Sequence, residues 1–491
     1  MSADVGILTK LYAEFQAAVA TVNDVLWGYV LIYGLLAVGI LFSVRLKFIQ
    51  VVHFGELVRS ITRAPQKDSH GITPFQALTT SLASRVGTGN IAGVAVALYT
   101  GGPGALFWMW VVAFLGMATA YAESTLAQLY KVSDDKGMYR GGPAFYISKG
   151  LNAPWAGSAF AICLLVVFGL VFNAVQANAI AESMSESFGF DKVGVGLFLA
   201  VLSGVVIFGG VKKIARVAEV IVPFMAVAYL GVALWIMLSN FDRVPEAIMM
   251  ILRSAFGLEA AAGGFVGGMT AAMLQGVKRG LFSNEAGMGS APNIAAVAVP
   301  SPHHPSSQGF VQSLGVCIDT LLICTATGVM ILLSDSLQPG SGISGTVLTQ
   351  HAMAHHIGAF GKDFVAIAVF FFAFTSIIGN YSYAEGSMTY LKIDTKLGMS
   401  LLRVLVLVFI VWGAYEKIGT VFDTADAVMG IMASINLVAI ALLSGLVVKL
   451  TTDYFEQSQQ GEPRFCIDRF PELKGQIDER IWTSAGCEEK Q

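Results

Sequence analysis

Thr79-Thr80-Ser81-Leu82-Ala83-Ser84-Arg85-Val86-Gly87-Thr88-Gly89-Asn90-Ile91-Ala92-Gly93 lies in the middle of a long apolar segment, roughly residues 75–99. A helix surrounded by lipid carries few polar groups, because lipid offers them no hydrogen bonds. This segment holds an arginine, two glycines one residue apart and an asparagine near its centre. Each glycine weakens a helix by about 1 kcal/mol relative to alanine. Local unwinding there frees backbone amides and carbonyls, which membrane depth tolerates only inside protein or beside a cavity. Glycines alone would suit close helix packing. Arg85 and Asn90 beside them point instead to a discontinuous helix that binds an ion or a small polar ligand.

The surrounding chain sets the class. Of 491 residues, 55% are hydrophobic and 13% charged, about half the charged share of a soluble domain. Mean hydropathy is +0.68. These values describe an all-α polytopic membrane protein. There is no basic block for nucleic acid, and the only partner composition demands is the lipid bilayer. Eleven spans are expected, at about 26–44, 75–99, 105–129, 158–184, 193–211, 217–239, 258–280, 308–333, 364–390, 401–415 and 425–448. Before them, Leu8, Leu11, Tyr12, Phe15 and Val19 recur at helical spacing, which predicts an amphipathic surface helix over 1–25. From about residue 449 the chain turns polar, as a partly disordered tail would.

Loop charge predicts orientation. Arg45, Lys47, Arg59, Arg63 and Lys67 follow the first span. Lys131, Lys136, Arg140, Lys149, Lys212, Lys213, Arg216, Lys278, Arg279, Lys392, Lys396 and Arg403 are read on the same side. The other side holds Lys10, Lys192, Arg243, Arg253, Lys362 and Lys417. The N-terminus is therefore expected outside and the C-terminus, with its tail, in the cytoplasm.

A second glycine-broken segment opens the seventh span: Ala262-Gly263-Gly264-Phe265-Val266-Gly267-Gly268-Met269-Thr270. The two interrupted spans are then first and sixth of a set of ten. Five is odd, so two five-helix halves have opposite topology, the layout of an inverted-repeat transporter with its site at the midplane. The expected units are a peripheral first span and loop (26–74), a first repeat (75–240), a second repeat (245–448) and the tail (449–491).

Ala83 to Gly93, Gly101-Gly102-Pro103-Gly104 with Phe107-Trp108-Met109-Trp110, Tyr121-Ala122-Glu123, and Gly276 through Pro292 together resemble the alanine/glycine:cation symporter family. The resemblance spans about residues 27–448. It implies a LeuT-type fold and sodium-coupled, in some members proton-coupled, uptake of small neutral amino acids across a bacterial or archaeal inner membrane. No cofactor is implied beyond Na⁺ as coupling ion.

A zwitterion needs two complementary partners. Its carboxylate suits backbone amides at a half-helix N-terminus, here around Gly87, Thr88, Gly89 and Asn90. Its ammonium suits carbonyls freed near Gly263, Gly264, Gly267 and Gly268. By resemblance to the family's pocket, Gln176 contacts substrate; a plain helix–helix hydrogen bond is the other reading. Matching the LeuT-type sodium motif offers the carbonyls of Ala83 and Val86, with the hydroxyls of Thr375 and Ser376. Those hydroxyls could equally bond back to their own helix. Asn380 stands where the family often has a tryptophan, so a substrate range extending to serine or glutamine is expected.

Arg85, Glu123, Asp319 and Glu385 are ionisable within spans and are functional candidates on that ground. Arg85 is read as a structural or gating ion pair. Asp319 or Glu123 would relay a proton if the coupling ion were H⁺. His303 and His304 are read as solvated loop residues. No Gly-x-x-x-x-Gly-Lys-Ser/Thr, Gly-x-Ser-x-Gly or His-Glu-x-x-His motif occurs, so neither an ATP-driven pump nor an enzyme is favoured. A proton-coupled symporter, a membrane-embedded enzyme and a channel remain as alternatives.

Overall fold

The computed structural model describes residues 2–63, 70–135, 137–258, 265–338 and 340–482. Described secondary structure is helical except for a hairpin, Val132–Ser133 against Tyr139–Arg140, and one bridge between Ile72 and Ala298. Among the described residues, eight helices are long and apolar enough to cross a membrane. Three further segments complete the layout: residues 74–101, the short apolar helix Lys192–Ile207, and Phe265–Asn284 followed by Pro292–Val297.

Burial separates centre from periphery. Val220, Phe224, Val227, Leu234 and Trp235 are more than half exposed on the helix Lys212–Ser239. So are Leu397, Leu401, Val404 and Val408 on Lys396–Tyr415. Such faces are stable only against lipid. Residues 77–95, by contrast, are entirely buried. Small residues allow the central helices to approach closely. A Cβ at Gly276 would lie 2.4 Å from the Ala105 carbonyl oxygen and 2.5 Å from Trp108 Cβ.

Three expectations change. Residues 1–25 do not form a separate surface helix: Ser2–Val25 continues through a π-helical turn, Leu26–Val30, directly into Leu31–Arg45. Asn23 Nδ2 donates to the Asp423 carbonyl (2.9 Å) and the Trp27 indole to that of Asp426 (3.2 Å), which fastens this helix along Ile418–Leu442. Lys278 and Arg279 are not loop residues. They sit inside the helix Phe265–Asn284, where Arg279 pairs with the fully buried Asp426 at 2.6 Å and Lys278 lies 3.4 Å from the same carboxylate.

The tail is folded over its described part. After the helix Ser444–Ser458, Phe465, Ile467, Phe470, Leu473 and Trp482 are buried. The Trp482 indole donates to the Leu129 carbonyl (3.1 Å), and the Phe465 amide to that of His303 (2.9 Å). Neither histidine is a plain solvated residue. His304 is fully buried with Nε2 3.2 Å from Asp453 Oδ2, and the His303 ring meets Trp482 edge-on.

Burial, then the positive charges of Lys131 and Arg464, push the His303 pKa down from 6.5 to about 4. An undocked tail would let this ring protonate near its ordinary value. The docked state therefore binds fewer protons between these limits, and its stability, complete above about pH 6.5, falls as pH drops toward 4. Hydrogen-exchange protection of residues 465–482 should decline across that window in the wild type and stay flatter in His303→Gln. Superimposable pH profiles for the two proteins would refute the assignment.

Candidate functional site

The first break begins with a well-capped helix. Thr73 and Gln76 form a reciprocal capping box, and Pro74 occupies the first helical position. The helix Pro74–Arg85 stops at Val86, whose ψ of 90° is extended, and a π-helical turn follows at Gly89–Gly93. The amides left over are satisfied by side chains. The Gly87 amide donates to Asn90 Oδ1 (2.9 Å) and the Thr88 amide to Gln176 Oε1 (3.0 Å). Two of the four amides expected to be open to a carboxylate, those of Gly87 and Thr88, are thus held by side-chain oxygens.

Among the described residues, a second break lies beyond the glycine-rich run. Gly263 and Gly264 fall outside the described residues. Gly267 and Gly268 are exposed within the first turn of Phe265–Asn284. The chain opens at that helix's other end. Glu285 (φ 58°), Gly287 (φ 88°) and Gly289 (φ 85°) take left-handed conformations before Pro292–Val297 resumes the helix. Glycine meets that requirement without strain; glutamate does not.

The two breaks touch. A Cβ at Gly89 would lie 2.9 Å from Ser283 Cα. Asp319 binds both sides of the contact: Asn90 Nδ2 donates to its Oδ1 (2.7 Å), while the Ser283 and Thr320 hydroxyls donate to its Oδ2 (2.8 and 2.7 Å). Glu123 holds the second break. Its Oε1 accepts the Gly287 amide (3.2 Å) and its Oε2 accepts Asn436 Nδ2 (2.8 Å). Both carboxylates have their acceptors engaged in these contacts.

Helix Phe360–Tyr390 crosses the first break. A Cβ at Gly87 would lie 2.3 Å from Ser376 Oγ and 2.8 Å from Gln176 Oε1, and one at Gly379 would lie 3.1 Å from the Ser84 amide. The structure therefore brings Gly87, Thr88, Gln176 and Ser376 together, with Ala83 and Val86 buried on the same helix end. The Thr375 and Ser376 hydroxyls both donate to the Phe372 carbonyl (2.9 and 3.0 Å). Their oxygen lone pairs remain available to a cation. Asn380 belongs to a polar chain in which its Nδ2 donates to Asn173 Oδ1 (3.1 Å).

Arg85 departs from its expected role. It is buried and forms no ion pair within 4 Å with any described residue. One guanidinium nitrogen donates to the Gln312 carbonyl (3.2 Å), whereas Nε and the other terminal nitrogen have no partner. Its charge acts on Glu123, Glu285 and Asp319 from a distance. Glu385 does pair, with Arg140 at 3.0 Å, and Arg140 also binds Asp134 at 3.0 Å. These three line a polar cavity of about 250 Å³ on the tail side of the molecule. Ser84, Asn173, Ser283, Glu285 and Ser290 were not marked by sequence reasoning. The polar run Ser283-Asn284-Glu285 between apolar residues was the available signal.

Comparison with known proteins follows the same lines. The sodium:alanine symporter family profile matches residues 12–467. "Probable sodium/glutamine symporter GlnT" of Bacillus subtilis (strain 168) is 47% identical over 452 residues, 92% of this chain and 93% of that one. "Amino-acid carrier protein AlsT" of the same organism is 47% identical over 461 residues, 94% and 97% of the two chains. "Sodium/alanine symporter AgcS" of Methanococcus maripaludis is 39% identical over 452 residues, 90% and 98%. Among solved structures, MhsT in complex with L-phenylalanine superposes with a TM-score of 0.52 at 13% identity, covering 79% of this chain and 99% of that one. That likeness establishes the LeuT-type helical fold.

Gly89→Ala drives a methyl into the backbone at Ser283, which cannot yield, and should destabilise the protein by about 1–3 kcal/mol. Gly87→Ala meets only side-chain ends. It should leave thermal stability near wild type while displacing Gln176 and Ser376. Paired melting and ligand-binding measurements in detergent check this; equal melting temperatures for the two variants would contradict it.

Proposed function

The chain belongs to the sodium:alanine symporter family, and on that premise we propose that it is a sodium-coupled symporter importing small neutral amino acids by alternating access. The observation that carries this reading is the meeting of Gly87, Thr88, Gln176 and Ser376 where two interrupted helices touch. In the proposed cycle the substrate carboxylate takes the Thr88 amide from Gln176, and the released glutamine side chain turns to the substrate. Sodium is held by the carbonyls of Ala83 and Val86 with Thr375 and Ser376. The face carrying the hairpin, residues 298–305 and the tail is assigned to the cytoplasm of a bacterial or archaeal cell.

An inward positive charge crossing 100 mV releases about 2.3 kcal/mol, and a tenfold sodium gradient adds about 1.4 kcal/mol. One sodium is then enough for several-hundred-fold accumulation without ATP. Substrate range follows the walls. Asn380 and Asn173 place amides beside the site, and a relative at 47% identity carries glutamine in its name. We read serine and glutamine as substrates alongside alanine and glycine.

Uptake of radiolabelled alanine, glycine, serine and glutamine into proteoliposomes should require an inward sodium gradient. Thr375→Ala/Ser376→Ala should abolish the requirement together with accumulation. Asn380→Trp should narrow uptake at least several-fold toward alanine and glycine. Sodium-independent accumulation, or an Asn380→Trp variant with unaltered ranking, would refute the corresponding part.

A further inference from the structure

Glu285 is a buried carboxylate that the transport reading leaves without a task. Its Oε2 accepts the Ser290 hydroxyl at 2.6 Å, and its Oε1 lies 2.9 Å from Ser84 Oγ. The same Ser84 oxygen is 2.5 Å from Asn380 Oδ1. Asn380 cannot turn its amide to relieve this contact. Its Nδ2 faces Asn173 Oδ1, and Asn173 is oriented by its own Nδ2, which donates to the carbonyls of Phe168 and Gly169 (2.9 and 3.1 Å). A serine hydroxyl carries one proton. Three oxygens, from Glu285, Ser84 and Asn380, therefore share a single hydrogen. A fourth oxygen, the Tyr383 hydroxyl, is fully buried, faces Ser84 and Glu285, and brings one proton of its own, so that four oxygens share two hydrogens.

Charge gives an independent indication. Glu123, Glu285 and Asp319 are at most 1% exposed, and Arg85 is the described cation acting on all three. Fully ionised, the group carries two uncompensated negative charges. Uncompensated buried charge is strongly unfavourable. A sodium beside Thr375 and Ser376 removes one of the two.

We propose that Glu285, Ser84 and Asn380, with Ser290 and Tyr383 around them, form a second coupling-cation site, occupied by one Na⁺ or one H⁺. As Na⁺, the ion sits among the converging oxygens. As H⁺, it binds Glu285 Oε1 and is donated to Ser84 Oγ, whose own proton then goes to Asn380 Oδ1. The proposal rests on the sodium-symport reading and sets its stoichiometry at two charges per zwitterionic amino acid.

The test is the steady-state accumulation ratio of alanine in proteoliposomes of the full chain, with membrane potential clamped at zero. A tenfold sodium gradient supports about 10-fold accumulation with one coupling ion and about 100-fold with two. A ratio near 100 at equal pH supports two sodium ions. A ratio near 10 that rises to about 100 when a tenfold inward proton gradient is added supports one sodium and one proton. Glu285→Gln, which removes the charge and gives Ser84 a donor, should return either case to about 10. A wild-type ratio near 10 that ignores the proton gradient overturns the second site, even if the variant fails to fold. So does Glu285→Gln accumulating like wild type. Absence of sodium-driven accumulation in the wild type would instead overturn the symport reading itself.

Discussion

Backbone groups freed inside a membrane must find partners within the protein, and the centre of this molecule is built around that constraint. Each unsatisfied group in hydrocarbon costs several kcal/mol. Two helices stop at membrane depth, and their exposed amides are met one by one. Asn90 serves Gly87, Gln176 serves Thr88, and Glu123 serves Gly287. The partners are side chains from other helices or from the far side of the same break, so the breaks hold their shape only when the bundle is assembled. An interhelical hydrogen bond in a membrane is worth about 0.6 kcal/mol on average. Its larger value here lies in avoiding the unsatisfied alternative.

A partner that satisfies an amide can also be displaced from it. Gln176 is an uncharged side chain holding the Thr88 amide through a single 3.0 Å contact. A carboxylate makes a stronger, charge-assisted bond to the same donor. Glu123 and Asp319 are different. Each engages both of its oxygens with partners on separate helices, so removing either would open a break rather than exchange a ligand. In the proposed cycle a displaceable neutral acceptor at the Thr88 amide, with doubly engaged carboxylates behind it, would let the ligand exchange while the scaffold stays rigid.

Legibility in the sequence followed the strength of local signals. The first break was readable because Arg85, Gly87, Gly89 and Asn90 interrupt an otherwise apolar span. The second was placed at Gly263–Gly268 because glycine density was read as unwinding. There, Gly267 and Gly268 lie in the exposed first turn of a helix, where missing hydrogen bonds are ordinary. The opening among the described residues depends on left-handed residues at 285, 287 and 289, a pattern with one residue between glycines and Pro292 restarting the helix. By local reading Lys278 and Arg279 are loop markers. Their charge is neutralised by Asp426 on another helix, a long-range pairing that no local reading contains. The tail was misjudged for the same reason, since its few apolar residues are spaced irregularly and dock on surfaces far away in sequence.

The paired charges also tie together elements far apart in sequence. Arg279 with Asp426 joins the second broken helix to Ile418–Leu442. Arg140 with Glu385 joins the hairpin to the far end of Phe360–Tyr390, several turns beyond Ser376. The first pair links the helix that runs into a break with one that is not broken, and the second links the hairpin to an unbroken helix. Separating a buried pair is costly when it strands a charge and cheap when water enters to solvate both partners. Water that reaches one pair therefore lowers the cost of parting that pair alone and leaves the other as it was, a difference on which the proposed alternating cycle would draw.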